Sequence, residues 1–138
     1  MLLICPSGER GILFASVSEE KTSAVISYKP FESWASDADW QISLPKGEDP
    51  VCVAAGGAPY SKFVDKTDVS GNGHLAVATT KGYVRFFSGG GCQLYVWNIG
   101  GEVVSMAAGQ EWAFVIHREG GTSLDGALCF MLLLRVDI

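Results

Sequence analysis

Acid–base chemistry in this chain would have to start from its two histidines, His74 and His117. His117 precedes Ser123 and Asp125 in His117-Arg118-Glu119-Gly120-Gly121-Thr122-Ser123-Leu124-Asp125-Gly126, so the ingredients of a hydrolytic trio sit in one stretch. Such a trio is defined by geometry and roles, commonly with the serine on a Gly-x-Ser-x-Gly elbow, and nothing here has that form. Ser, Thr, Asp and Gly at these positions are what a connection between two strands demands. The stretch is read as a loop, and no residue is assigned as catalytic.

Other chemistry-bearing groups give the same answer. Gly89-Gly90-Gly91 lacks the following helix and the Gly-Lys-Ser/Thr sequence of a phosphate cradle, so it is expected to connect strands. The carboxylate pairs Glu19-Glu20, Asp37 with Asp39, and Glu48-Asp49 fall in turn-like segments and are expected to be solvated. Cys5, Cys52, Cys92 and Cys129 are scattered singly, without Cys-x-x-Cys spacing or a nearby His. They are read as reduced, buried small hydrophobes, and neither a metal nor an organic cofactor is expected. The candidates for partner contact are aromatic: Phe31 and Trp34, in Lys29-Pro30-Phe31-Glu32-Ser33-Trp34 ahead of Asp39-Trp40. A tryptophan in such a place anchors a partner or covers the outer edge of its own sheet.

The chain that must position these groups has 138 residues, 48% of them hydrophobic and 18% charged, with 17 glycines and a formal net charge of −5. A disordered chain carries more charge and fewer apolar residues, so one packed core is expected. The acidic balance and the absence of a Lys/Arg cluster argue against direct nucleic-acid binding by this segment. Met1 to Cys5 is too short for a signal-peptide core, and Ala127 to Leu134 falls far below the roughly 20 residues of a membrane helix. An intracellular, soluble chain is the simplest expectation.

Helical periodicity is nearly absent, whereas short apolar runs bounded by Gly, Ser, Asp and Asn recur from end to end. The expected strands are Leu2–Cys5, Gly11–Val17, Ala24–Tyr28, Trp40–Leu44, Val51–Ala55, His74–Thr80, Tyr83–Ser88, Leu94–Ile99, Val103–Ala108, Trp112–His117 and Leu128–Val136. A repeat is visible among them. Val51-Cys52-Val53-Ala54-Ala55-Gly56 matches Val104-Ser105-Met106-Ala107-Ala108-Gly109, each after an aromatic-containing strand and each before a second apolar strand. A four-stranded unit repeated every few tens of residues is the signature of a β-propeller blade. The small residues suit the innermost strands, where blades converge.

The fold class is therefore all-β: a β-propeller fragment of about two and a half to three four-stranded antiparallel blades. The blades are expected at about 1–44, 45–99 and 103–138, the last without its fourth strand, so the chain reads as part of a larger propeller. Residues 58–73, rich in Ser, Lys, Asp and Thr, read as an exposed insertion in the second blade.

Several strings together resemble a known family. They are Ser33-Trp34 with Asp39-Trp40-Gln41-Ile42-Ser43-Leu44-Pro45-Lys46-Gly47-Glu48-Asp49, and Ala76-Val77-Ala78-Thr79-Thr80-Lys81-Gly82-Tyr83-Val84-Arg85-Phe86-Phe87-Ser88. Gly101 to Gly109 and His117-Arg118 followed by Leu124-Asp125-Gly126 continue the match in order. The chain resembles the central, SepB-like propeller of the chromosome transmission fidelity family of WD-repeat and HMG-box replisome adaptors. The resemblance implies a nuclear, non-catalytic scaffold in DNA replication and sister chromatid cohesion. It also implies a homotrimer of the whole propeller, linking the GINS complex of the replicative helicase to DNA polymerase α. In the family that docking belongs to a helical domain absent here, so no residue of this chain inherits it.

Two alternatives stay open. One is a peptide-recognition propeller unrelated to replication. The other is a propeller hydrolase, which would need convergent His, Asp, Glu or Arg on inner strands that offer Val, Ala, Cys, Ser and Met.

Overall fold

The computed structural model describes residues 2–4, 11–30, 39–56, 74–109, 112–118 and 129–135. These form eleven strands, and no helix occurs among the described residues. The first sheet holds β1 (Leu2–Ile4), β2 (Gly11–Ser16), β3 (Val25–Pro30) and β4 (Trp40–Ser43). The second holds β5 (Pro50–Gly56), β6 (His74–Thr79), β7 (Tyr83–Ser88) and β8 (Gln93–Asn98). The third holds β9 (Val103–Ala108), β10 (Trp112–Arg118) and β11 (Cys129–Arg135). Within each sheet, strands follow in chain order and every pairing is antiparallel. Meanders of this kind, packed face against face, make the molecule an all-β, propeller-like fragment.

Glycine closes the hairpins, as the sequence implies. In the β6–β7 connection the Gly82 N–H donates to the Thr79 carbonyl at 3.1 Å, and Gly82 has φ of 78°, a left-handed backbone that a side chain resists. Gly91 and Gly100, after β7 and β8, also have positive φ.

Side-chain alternation then sorts residues between neighbouring sheets, because successive residues of a strand point to opposite faces. In β2 Leu13 and Ala15 are buried while Phe14 and Ser16 are half-buried. β6 is buried at all six positions, because it is covered on both faces. Its Leu75 and Val77, with Val53 and Phe87, pack on Leu13, Ala15, Ile26 and Tyr28 of the first sheet. Its Ala76 and Ala78, with Val84 and Phe86, pack on Val103, Ala113 and Val115 of the third. The second sheet is thus the middle layer of the described structure.

The alanine- and glycine-containing strands lie where the sheets come closest. β5 runs against β9 and also meets β2. A Cβ added to Gly56, the last residue of β5, would overlap the Gly109 carbonyl oxygen after β9 and the His74 ring. Only glycine permits that approach. The expected insertion at 58–73 lies outside the described residues. No helix among the described residues is long and apolar enough to cross a membrane.

Candidate interaction surface

The polar groups of the second sheet are engaged with one another. Pro45 to Asp49 carries the chain from the first sheet to the second through a turn in which the Glu48 N–H donates to the Pro45 carbonyl at 3.1 Å. That turn drives the Glu48 side chain inward, leaving it 5% exposed. There its carboxylate accepts from Arg85 Nη2 at 2.7 Å, Arg85 Nε at 3.3 Å and the Thr79 hydroxyl at 3.0 Å. A two-pronged guanidinium contact with a third donor occupies the acceptor sites of a buried carboxylate, so Glu48 serves as a structural tie between β6, β7 and the preceding turn. The expectation of a solvated Glu48 is corrected by this burial. The signal was Arg85, an isolated charge in the apolar strand Tyr83-Val84-Arg85-Phe86-Phe87, which required a buried partner.

Asp49 beside it is half-buried and accepts the Ser18 N–H at 2.7 Å, which connects the turn between β2 and β3 to the second sheet. Hydrogen bonds from the Ser18 hydroxyl and amide hold the Asp49 carboxyl below its ordinary range.

Of the imagined trio, His117 lies near the end of β10 with Nδ1 3.4 Å from the Arg118 carbonyl oxygen, and Ser123 and Asp125 lie outside the described residues. Arg118 meets Glu102 at 3.4 Å in an exposed ion pair. No group of three His, Cys, Asp or Glu among the described residues could hold a metal ion.

The cysteines differ from one another. Cys52 is half-buried, and desolvation pushes its thiol up to about 11, so it is protonated at neutral pH and behaves as a small hydrophobe. Cys92 is exposed, which corrects the expectation that all four are buried. It follows the glycine turn after β7, and its N–H donates to Ser88 Oγ at 3.1 Å, so the backbone is held while the thiol faces outward. Cys5 lies outside the described residues, as does the side chain of Cys129.

Phe31 and Trp34, the aromatic candidates for partner contact, also lie outside the described residues. The residues around their segment are described. Trp40 stacks obliquely between Tyr28 (5.7 Å) and Phe87 (6.1 Å), and its indole N–H donates to the Gly89 carbonyl at 2.9 Å. It therefore clamps the first sheet to the β7–β8 turn of the second. On the opposite face of the first sheet, Phe14, Ser27 and Gln41 are successive register partners across β2, β3 and β4. With Lys29, Asp39 and Trp40 they line a surface pocket of about 320 Å³. The pocket thus combines the Phe14 ring with a lysine, an aspartate, a hydroxyl and an amide side chain. Further apolar surface is exposed at Val96 and Trp97 on β8 and at Val104, Trp112 and Phe114 on the third sheet.

Comparison with known proteins accords with this architecture. Residues 2–136 match the family model described as "Minichromosome loss protein, Mcl1, middle region". The chain is 31% identical over 126 residues to the human protein named WD repeat and HMG-box DNA-binding protein 1, covering 91% of this chain and 10% of that protein. It is 33% identical over 121 residues to the mouse protein of the same name, covering 86% of this chain and 9% of the relative. It is also 33% identical over 98 residues to the Arabidopsis thaliana Protein ENHANCER OF LHP1 1, covering 70% and 9% respectively. The chain thus spans about a tenth of the length of the curated relatives it matches. With the match extending through all three sheets, this chain belongs to the Mcl1 middle-region family.

Proposed function

We infer that this segment is a non-catalytic scaffold acting in DNA replication in the nucleus, as part of a trimerising propeller within an adaptor. That adaptor joins the replicative helicase, through GINS, to DNA polymerase α. The observation that carries the reading is the family match over residues 2–136, together with the similarity to proteins named WD repeat and HMG-box DNA-binding protein 1. The chemistry of the described groups supports a scaffold rather than an enzyme. Glu48, the buried carboxylate, is consumed by Arg85 and Thr79, and the inner strands β5 and β9 present Val, Cys, Ala, Ser and Met. The Cys52 thiol among them, pushed up to about 11 by desolvation, is protonated at neutral pH and is not an activated nucleophile.

The test uses the longer protein that contains this segment. Sedimentation should give a trimer, and affinity capture should retain both GINS and DNA polymerase α. Destabilising the segment with Glu48→Ala should weaken the trimer and, with it, simultaneous capture of the two. A monomeric wild-type protein, or one that retains neither enzyme, overturns this reading. A peptide-recognition module outside replication is the second reading, favoured by the pocket between Phe14 and Gln41. Saturable binding of unrelated peptides there, lost in Phe14→Ala with Gln41→Ala and accompanied by no replisome capture, would support it instead.

A further inference from the structure

His74 opens β6 and is wholly buried, yet neither ring nitrogen has a hydrogen-bond partner among the described residues. A buried polar group left in this state costs free energy and calls for an explanation. In register, His74 faces Gly56 on β5 and Ser88 on β7. Beyond Gly56 lies the third sheet: a Cβ at that glycine would overlap the imidazole and the Gly109 carbonyl oxygen alike. Gly109 in turn donates its N–H to the Trp112 carbonyl at 2.8 Å, closing the connection from β9 to β10. The imidazole is therefore packed into the junction between the second and third sheets.

The surroundings favour the neutral ring. Desolvation lowers the His74 pKa from its ordinary value of 6.5, and the Trp112 backbone, which approaches the ring as a weak hydrogen-bond partner without reaching full hydrogen-bond geometry, opposes this less strongly. Gly56 on β5, Ser88 on β7, and Gly109 and Trp112 from the third sheet carry no titratable side chain, and no charged group among the described residues shifts the ring. Glu111, between β9 and β10, and the charged side chains of 57–73 lie outside the described residues. We propose that His74 is a pH-sensitive wedge at the junction of the second and third sheets, neutral while they are closed and forcing them apart when its ring takes up a proton.

The proton adds both a charge and a second N–H donor where no carboxylate among the described residues receives them. The ring must then reach water, which requires Gly109 and the third sheet to separate from Gly56 and β6. The unfolded chain titrates near the ordinary histidine value, so as pH falls it takes up the proton before the folded chain does. Stability is intact above about pH 6.5 and is lost as pH falls from there toward the lowered folded value. Within that window the folding equilibrium constant drops about tenfold per pH unit, the signature of one proton.

Denaturant unfolding of the full chain between about pH 7.5 and about pH 5 tests this. Wild type, His117→Gln and Glu111→Gln should share the tenfold loss per pH unit, and His74→Phe should remove it. The proposal is overturned if His74→Phe retains the slope, or if His117→Gln or Glu111→Gln abolishes it. Should His74→Phe fail to fold, the proposal stays testable by NMR of the His117→Gln chain, which has a single imidazole. That ring should titrate below its ordinary value of 6.5, and its protonation should coincide with loss of β9 and β10 amide signals before those of the first sheet. A ring that titrates near its ordinary value with those signals unchanged overturns it.

Discussion

The second and third sheets are assembled from the same hairpin units, yet their central strands live in different environments. Every side chain of β6 is buried, whereas β10 alternates, with Ala113 and Val115 buried and Trp112 and Phe114 exposed at 43% and 39%. The difference follows from what each face meets. β6 has the first sheet on one side and the third on the other, while among the described residues β10 has a packed neighbour on one face only. Burial on both faces also explains the small side chains of β6: stacked sheets lie about 10 Å apart, and Ala76 and Ala78 leave room for Phe86 on the adjacent strand. A blade of this fold derives its core from its neighbours as much as from its own strands.

The sharpest way to break this comparison is to remove one phenylalanine from each sheet. Phe86→Ala, fully buried, should cost about 3–5 kcal/mol in denaturant unfolding. Phe114→Ala should cost less than about 1 kcal/mol. Equal costs would show that the exposed face of the third sheet is covered in solution. Next come the ion pairs. Glu48→Ala strands the Arg85 guanidinium, only 13% exposed, and should cost about 3–5 kcal/mol. Glu102→Ala, which frees exposed Arg118, should cost about 0–1 kcal/mol by the same measurement.

A smaller effect is expected at the clamp between the first and second sheets. Trp40→Phe keeps an aromatic ring between Tyr28 and Phe87 but loses the bond to the Gly89 carbonyl, and should cost about 1 kcal/mol. Smallest in energy, though readily seen, is the contrast between thiols in the folded chain. Cys92 should react with a thiol reagent at neutral pH, whereas Cys52, pushed up to about 11, should react only on unfolding. Mass mapping of the modified peptides separates the two.

Much of the fold was legible before the structure. All eleven expected strands are present, with ends displaced by at most two residues, because apolar runs punctuated by glycine are local signals. Val51–Ala55 and Val103–Ala108 were recognisable as convergent strands from side-chain size, and β5 does run against β9. The candidate site was less legible. Asp39 is exposed as its polar surroundings implied, but the pocket beside it needs Phe14 from β2 and Ser27 from β3, which only the pairing of those strands brings to Gln41.

By itself, then, the sequence determined the all-β class, the strands, the glycine turns and the family, all of which rest on short-range pattern or on ordered strings of residues. The tertiary structure decided which polar groups stay at the surface and which become internal ties. Glu48 looks like any loop carboxylate until strand pairing sets Thr79 and Arg85, 31 and 37 residues further along, against it. His74 reads as an ordinary strand residue until Gly109 closes over Gly56 and removes the water from its ring. Burial is a property of the neighbours, and in stacked sheets those neighbours come from distant parts of the chain.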